Sequence, residues 1–434
     1  MTDVLTTSLA VTVRPGRPLA GLVTVDGSKN AALPLLAAAA ATRRTVHLDN
    51  VPGSADVTAM LTLLQRSGCQ LIRSVSHPQT LALTPASTPM PVPELPEAAH
   101  IRASYYLVPA LLACCAQARL PWPGGCQIGE RGMELHFQVY SAFGDKVDTG
   151  DGGYQITVAG HAPEEVSVQL PFRSRGASVV AVLRAVVGAQ RLRLTNPNHS
   201  PEFTGMLSAL TQAGWRIDLG PDTLTVEPPA HPRPSVTWTV PGDKIEASTL
   251  ACAIAATGGS GRIEGVRGDE VAPVVAALNL AGIPAASEPR AVVVHGGGNP
   301  TGRALRAVAS LSPGGLDADF EPALLALALG LPGTHLFADS INPGRHGNLL
   351  PQLARLGARF ETLSPTQCRV TGPQRLTGAA VEATDIRTGS ALMVAALTAR
   401  GTTTIRGLGQ LQRGHADLPA KLRALGADLR EVTA

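Results

Sequence analysis

The stretch that decides the fold is Leu353-Ala354-Arg355-Leu356-Gly357-Ala358-Arg359-Phe360-Glu361-Thr362, "LARLGARFET". Its first half spaces apolar residues as a helix does, its second half alternates as a strand does, and a glycine stands between them. A glycine there fits a helix C-terminal cap, where the chain turns through a left-handed conformation that costs glycine least. The pattern returns as "LLQRSGCQLI" around Gly68, "YSAFGDKVDT" around Gly144 and "LTQAGWRIDL" around Gly214, then as "LNLAGIPAAS" around Gly282 and "LRALGADLRE" around Gly426. The six glycines lie about 70 residues apart. Ahead of most of these helices stands another, rich in Ala and Leu, followed by a turn and a short strand, as in "LRAVVGAQRLRLTNPN" and "LTARGTTTIRGLGQL". A period this long exceeds that of solenoid repeats, so each copy is a compact βα unit. Six units in two sets of three predict an α/β protein of two similar domains, with ligands bound in a cleft between them.

Size and composition agree with that division. A chain of 434 residues is too long for one ordinary core. A net charge of +3 and only 3% aromatic residues leave no footprint for nucleic acid, either electrostatic or stacking. The six cysteines form no Cys-x-x-Cys pair and no zinc-type spacing with histidine, so no structural metal is expected. The first 25 residues lack the charged and apolar regions of a secretory signal, and the apolar run from Ala31 to Ala41 is too short to span a bilayer. The expectation is a soluble cytoplasmic protein that acts on small molecules, without a cofactor and without a nucleic-acid or membrane partner.

Four polar clusters interrupt the apolar pattern. Lys29 and Asn30 follow Gly27-Ser28 at the start of the Ala-rich helix. A lysine is unfavourable at that end unless an anion binds there too, and a solvated loop lysine is the plainer alternative. Cys126 sits in "PGGCQIGER", five residues before Arg131, where a guanidinium can lower a thiol pKa. A loop cysteine without function fits as well. Asp317, Asp319 and Glu321 follow "SPGGL" and offer a general base or metal ligands, or else an acidic helix start. Asp385-Ile386-Arg387 and Arg413 place two arginines at predicted strand ends or turns, as an anion clamp or as surface ion pairs. The set suits a small, highly anionic substrate and a proton transfer.

At this point the chain resembles the UDP-N-acetylglucosamine 1-carboxyvinyltransferase family, the MurA-like enolpyruvyl transferases that begin peptidoglycan precursor synthesis. The resemblance runs along nearly the whole chain. It is carried by "GLVTVDGSKNAALPLLAAAA", "NVPGSADV", "IRASYYLVPALL", "LPWPGGCQIGERGMELHF", "TDIRTGSALMVAAL" and "LQRGHADLPAKLRALGADLREV". It implies a two-domain inverse α/β barrel of six βαβαββ repeats with the active site in the interdomain cleft. Residues 1–27 and 242–434 would form one domain, and 28–241 the other, which carries the Cys126 lid loop. The resemblance further implies that phosphoenolpyruvate lies against Lys29, Arg102, Arg131, Arg387 and Arg413, with Asp385 beside the reacting carbon. Cys126 would protonate the enol methylene, which is also the position fosfomycin alkylates. Asp319 would take the proton of the acceptor hydroxyl, and Asn30 would touch the acceptor.

The acceptor side departs from the family pattern. The usual Arg-Pro-Val-Asp-Leu-His is here Arg131-Gly132-Met133-Glu134-Leu135-His136, which still implies a uracil-containing acceptor through Glu134 and His136. The usual Lys-Val-Ser-Val-Gly is here Phe172-Arg173-Ser174-Arg175-Gly176, with one cation gone and two added. A family lysine after "NVP" is missing from Gly53-Ser54-Ala55, and Asp-Arg-Ile-Glu becomes Asp243-Lys244-Ile245-Glu246. Near Asn342-Pro343-Gly344-Arg345 the match slips by one residue, which leaves the place of Arg345 open. The acceptor expected first is UDP-N-acetylglucosamine. The alternatives are UMP or a related uridine nucleotide, as in nucleoside-antibiotic pathways, and a catalytically silent nucleotide-binding paralogue.

Overall fold

A computed structural model describes residues 9–86, 90–124, 132–158, 163–230, 235–312 and 315–433. The described residues fall into two compact units, one running up to Asp26 and from Gly242 onward, the other from Gly27 to Pro241.

One repeat shows how the sequence builds the rest. Strand Glu165–Gln169 leads through helix Arg175–Gly188 to strand Arg191–Thr195, which pairs parallel with the first. Helix Pro201–Gln212 then leads to the hairpin Arg216–Leu219 and Thr223–Glu227, which closes the sheet antiparallel. Alternation sets the faces: Val166, Val168, Leu192, Leu194, Leu224 and Val226 are buried, whereas Arg191 and Arg193 point outward. Among the described residues the six sheets follow this plan, five with four strands and one, around Gln117–Leu120, with three.

Three sheets are completed by strands from far along the chain. Ser235–Thr239 pairs parallel with Thr45–Asp49, setting Trp238 opposite Leu48. Ala20–Thr24 pairs parallel with Ser260–Glu264. Leu9–Arg14 lies antiparallel between Thr403–Arg406 and Asp428–Thr433. Periodicity along the chain carries no information about such exchanges.

The six glycines of the sequence pattern all adopt positive φ, from +82° at Gly144 to +103° at Gly214. After each, the next residue's N–H reaches back five residues, as in Cys69 to Leu64, Trp215 to Leu210 and Ala358 to Leu353. That six-to-one hydrogen bond is the Schellman form of helix ending.

The first helix of each repeat is buried nearly all round. Lys29–Ala41, Leu107–Cys115 and Arg175–Gly188 pack on one another at the centre of one unit. Lys244–Ala256, Glu321–Ala328 and Ile386–Ala396 do the same in the other. Helices that are apolar on every side require this surrounded position, and the sheets enclose them. Helices inside and sheets outside make each unit an inverse α/β barrel.

Candidate active site

The charged residues gather at the starts of the central helices, where unpaired backbone N–H groups make the local potential positive. In the unit from Gly27 to Pro241, the Ser28 hydroxyl caps helix Lys29–Ala41 by accepting from the Ala31 N–H. Lys29 stands in its first turn, partly buried, with Nζ 3.3 Å from Asp56 Oδ2. Asn30 follows, half-buried. Arg102 opens the short 3-10 turn Arg102–Tyr106, donates to the Gly132 carbonyl at 3.3 Å, and lies over the Tyr105 ring.

His136 is buried in the first turn of helix Glu134–Ala142, its ring 4.4 Å from that of Tyr105, and the Glu134 side chain is exposed. Burial first, and then the Arg102 charge, push its imidazole down to about 3. It is therefore neutral at any physiological pH. Neither ring nitrogen has a hydrogen-bond partner among the described residues. A Cβ on Gly176 would lie 2.6 Å from His136 Nε2 and 2.7 Å from the Tyr105 hydroxyl, so only glycine fits in this turn. Ser174 caps helix Arg175–Gly188, and Arg175 pairs with the buried Glu202 at 3.6 Å. Arg173 is tied down by Asp222 at 2.8 Å and by the Pro221 carbonyl at 2.8 Å.

In the other unit the three carboxylates of 317–321 each engage a cationic or imidazole partner. Asp317 pairs with Lys244 at 2.8 Å, and Glu321 meets His346 at 2.9 Å. Half-buried Asp319 bridges two arginines, with Oδ1 2.8 Å from Arg345 and Oδ2 2.8 Å from Arg387. Arg345, fully buried, also contacts Asp339 and the Ala318 carbonyl. Burial opposes the charge of Arg387, but Asp319, Asp243 and Asp317 hold its pKa above the ordinary value.

Arg387 stands in the first turn of helix Ile386–Ala396 rather than at a strand end. Asp385 caps that helix, accepting from the N–H groups of Arg387 and Thr388 and from the Thr388 hydroxyl. Its carboxylate is buried and engaged as a cap, which fixes the direction in which Arg387 leaves the backbone. Arg413 follows helix Leu408–Gln412 and donates to Gln410 at 3.3 Å.

The structure thus joins Arg102, His136 and Gly176 in one unit, and Asp319, Arg345, Arg387 and Asp385 in the other. Cys126 and Arg131 lie outside the described residues. The sequence reading assigns no role to Asp56, Glu202, Asp222 or Tyr105, which meet Lys29, Arg175, Arg173 and His136 only once the chain has folded.

The sequence model of EPSP synthase (3-phosphoshikimate 1-carboxyvinyltransferase) matches residues 13–422. The chain is 33% identical to a UDP-N-acetylglucosamine 1-carboxyvinyltransferase of Sphingopyxis alaskensis, covering 98% of this chain and 99% of the relative. It is 34% identical to UDP-N-acetylglucosamine 1-carboxyvinyltransferase 3 of Symbiobacterium thermophilum, over 96% and 97%. Among solved structures it is similar to the enolpyruvyl transferase NikO from Streptomyces tendae, with a TM-score of 0.83, 25% identity, and 98% and 99% of the two chains covered. An EPSP synthase from Acinetobacter baumannii shares the fold at a TM-score of 0.74 and 17% identity, over 98% and 100%.

Proposed function

The chain belongs to the EPSP synthase (3-phosphoshikimate 1-carboxyvinyltransferase) family, and we propose that it moves the enolpyruvyl group of phosphoenolpyruvate to a hydroxyl of a uridine nucleotide, releasing phosphate. The acceptor inferred first is the 3-hydroxyl of UDP-N-acetylglucosamine, the acceptor in the names of the relatives. The observation that carries this reading is Asp319 held between Arg345 and Arg387, a carboxylate fit to receive a proton beside a guanidinium fit to receive an anion.

In this reading Lys29, Arg102, Arg131, Arg387 and Arg413 hold the phosphoenolpyruvate trianion. Arg387 exchanges Asp319 for the substrate, which frees Oδ2 to take the acceptor's hydroxyl proton. Cys126 gives a proton to C3 while the acceptor oxygen bonds to C2. The tetrahedral adduct then returns a C3 proton to the Cys126 thiolate and breaks its C2–O bond to phosphate, restoring the double bond. Asp385 keeps Arg387 oriented. Asn30, Glu134, His136 and the 173–176 turn receive the nucleotide, with neutral His136 and Tyr105 against the small Gly176.

A second reading takes UMP as acceptor. It is favoured by Arg173, whose guanidinium is committed to Asp222 and to the Pro221 carbonyl. Arg175, held more loosely by Glu202 at 3.6 Å and with its side chain partly exposed, and one helix start would then meet a single phosphate. Phosphate release from phosphoenolpyruvate, measured in parallel with UDP-N-acetylglucosamine and with UMP, tests the proposal. Release that depends on either nucleotide supports transfer and selects the acceptor, and no release with both contradicts it.

A further inference from the structure

Behind Arg387 lies a buried chain of charges that the reaction above does not use. Arg387 NH1 is 3.4 Å from His415 Nε2, and His415 Nδ1 is 3.9 Å from Glu246 Oε1. The other Glu246 oxygen is 2.5 Å from Lys421 Nζ and accepts from the Asp26 N–H at 2.9 Å. Lys421 reaches Asp26 Oδ2 at 2.8 Å. The side chains of His415 and Glu246 are almost completely buried.

A guanidinium only donates, so His415 Nε2 must be the acceptor and its single proton must sit on Nδ1, on the side of Glu246. This chemistry fixes both the tautomer and the charge: the imidazole is neutral. We propose that His415 is a positioning residue for Arg387, holding the guanidinium through Nε2 in the place where it receives the anionic substrate. The proposal rests on the assignment of Arg387 to phosphoenolpyruvate.

The groups facing His415 make this anchor sensitive to pH. Arg387 on helix Ile386–Ala396 and Glu246 at the start of helix Lys244–Ala256 face the ring itself, while Lys421 on helix Leu418–Ala424, Asp26 after strand Ala20–Thr24 and Asp243 face Glu246. Arg413 stands two residues before His415 on its own segment. Burial raises the Glu246 carboxyl to about 7, against the opposing pull of Lys421 and with help from Asp243 and Asp26. Protonation of Glu246 removes the carboxylate that holds the proton on Nδ1. The ring proton can then move to Nε2, which removes the acceptor that Arg387 needs, so the anchor loosens as pH falls through this range.

The test is the KM for phosphoenolpyruvate between pH 6 and 8 in wild type, His415→Gln and His415→Phe. Gln offers an oxygen near the place of Nε2 and cannot take a proton, whereas Phe offers no acceptor. The expected results are a wild-type KM that climbs below pH 7, a flat profile in His415→Gln, and a KM raised about tenfold at every pH in His415→Phe with kcat little changed. An unchanged KM in His415→Phe, or the same acid rise in His415→Gln, would overturn the proposal. Nitrogen-15 spectra of histidine-labelled protein at pH 8 give a readout independent of turnover. A protonated Nδ1 at His415 without turnover would mean that the proposed reaction is wrong and the anchor stands, whereas a protonated Nε2 removes the anchor.

Discussion

Asp319 holds two guanidinium groups, Arg345 and Arg387, one on each carboxylate oxygen. In the proposed reaction the anionic substrate takes the place of one of these contacts. Asp319→Asn keeps the shape and removes the base, and kcat should fall about a hundredfold or more with KM for phosphoenolpyruvate little changed. An unchanged kcat would assign the proton to another group. On the acceptor side, Arg175→Ala should raise the nucleotide KM about tenfold and leave the phosphoenolpyruvate KM alone; equal effects on both would remove Arg175 from the nucleotide site. His136 supplies a stability prediction. Its folded pKa is depressed, so its contribution is complete above the unfolded value of 6.5 and is lost as pH falls toward about 3. Between pH 6.5 and 5 the loss is about 2 kcal/mol. Urea unfolding of wild type and His136→Phe at pH 7.5 and 5 should show the variant losing less stability on acidification. Identical losses would mean that His136 is not buried neutral. At this scale the sequence disclosed which residues are polar against an apolar pattern, but not their partners. Glu202 and Asp222 reach Arg175 and Arg173 only after a helix and a hairpin have folded back.

The helix endings were the most legible elements, because one local rule governs them: a left-handed residue permits the Schellman hydrogen bond, and glycine alone adopts it cheaply. Gly357 isolates that rule. Its φ is +88°, and an added Cβ would meet only the Arg375 carbonyl oxygen, at 3.9 Å. Gly357→Ala should therefore cost roughly 1–2 kcal/mol, all of it backbone, read as a lowered urea midpoint with unchanged slope. No loss would mean that the turn relaxes into another conformation. Arg387 misled the element reading, since a segment opening Asp-Ile-Arg after a short strand resembles a turn. The Asp385 side chain instead starts a helix there, a capping pattern that the sequence does contain. Strand exchange was not legible. Nothing between Ala20 and Thr24 announces a partner at Ser260–Glu264, because parallel pairing leaves no mark on either strand's alternation.

For the whole molecule, six repeats explain how one scaffold can offer so many cations. Each central helix begins beside a capping residue or turn, and the charged side chains sit on those starts while the apolar bodies of the helices fill two cores. The repeat and the two-domain α/β class could be read before any coordinates. The acceptor could not, since it depends on which cations are already spent on carboxylates. The most direct test of the central claim is a competition: phosphoenolpyruvate with equal UDP-N-acetylglucosamine and UMP, and the mass spectrum of the products. Transfer predicts one nucleotide heavier by a single carboxyvinyl group, formed in step with phosphate. Phosphate released as pyruvate accumulates, with both nucleotides unchanged, would contradict it.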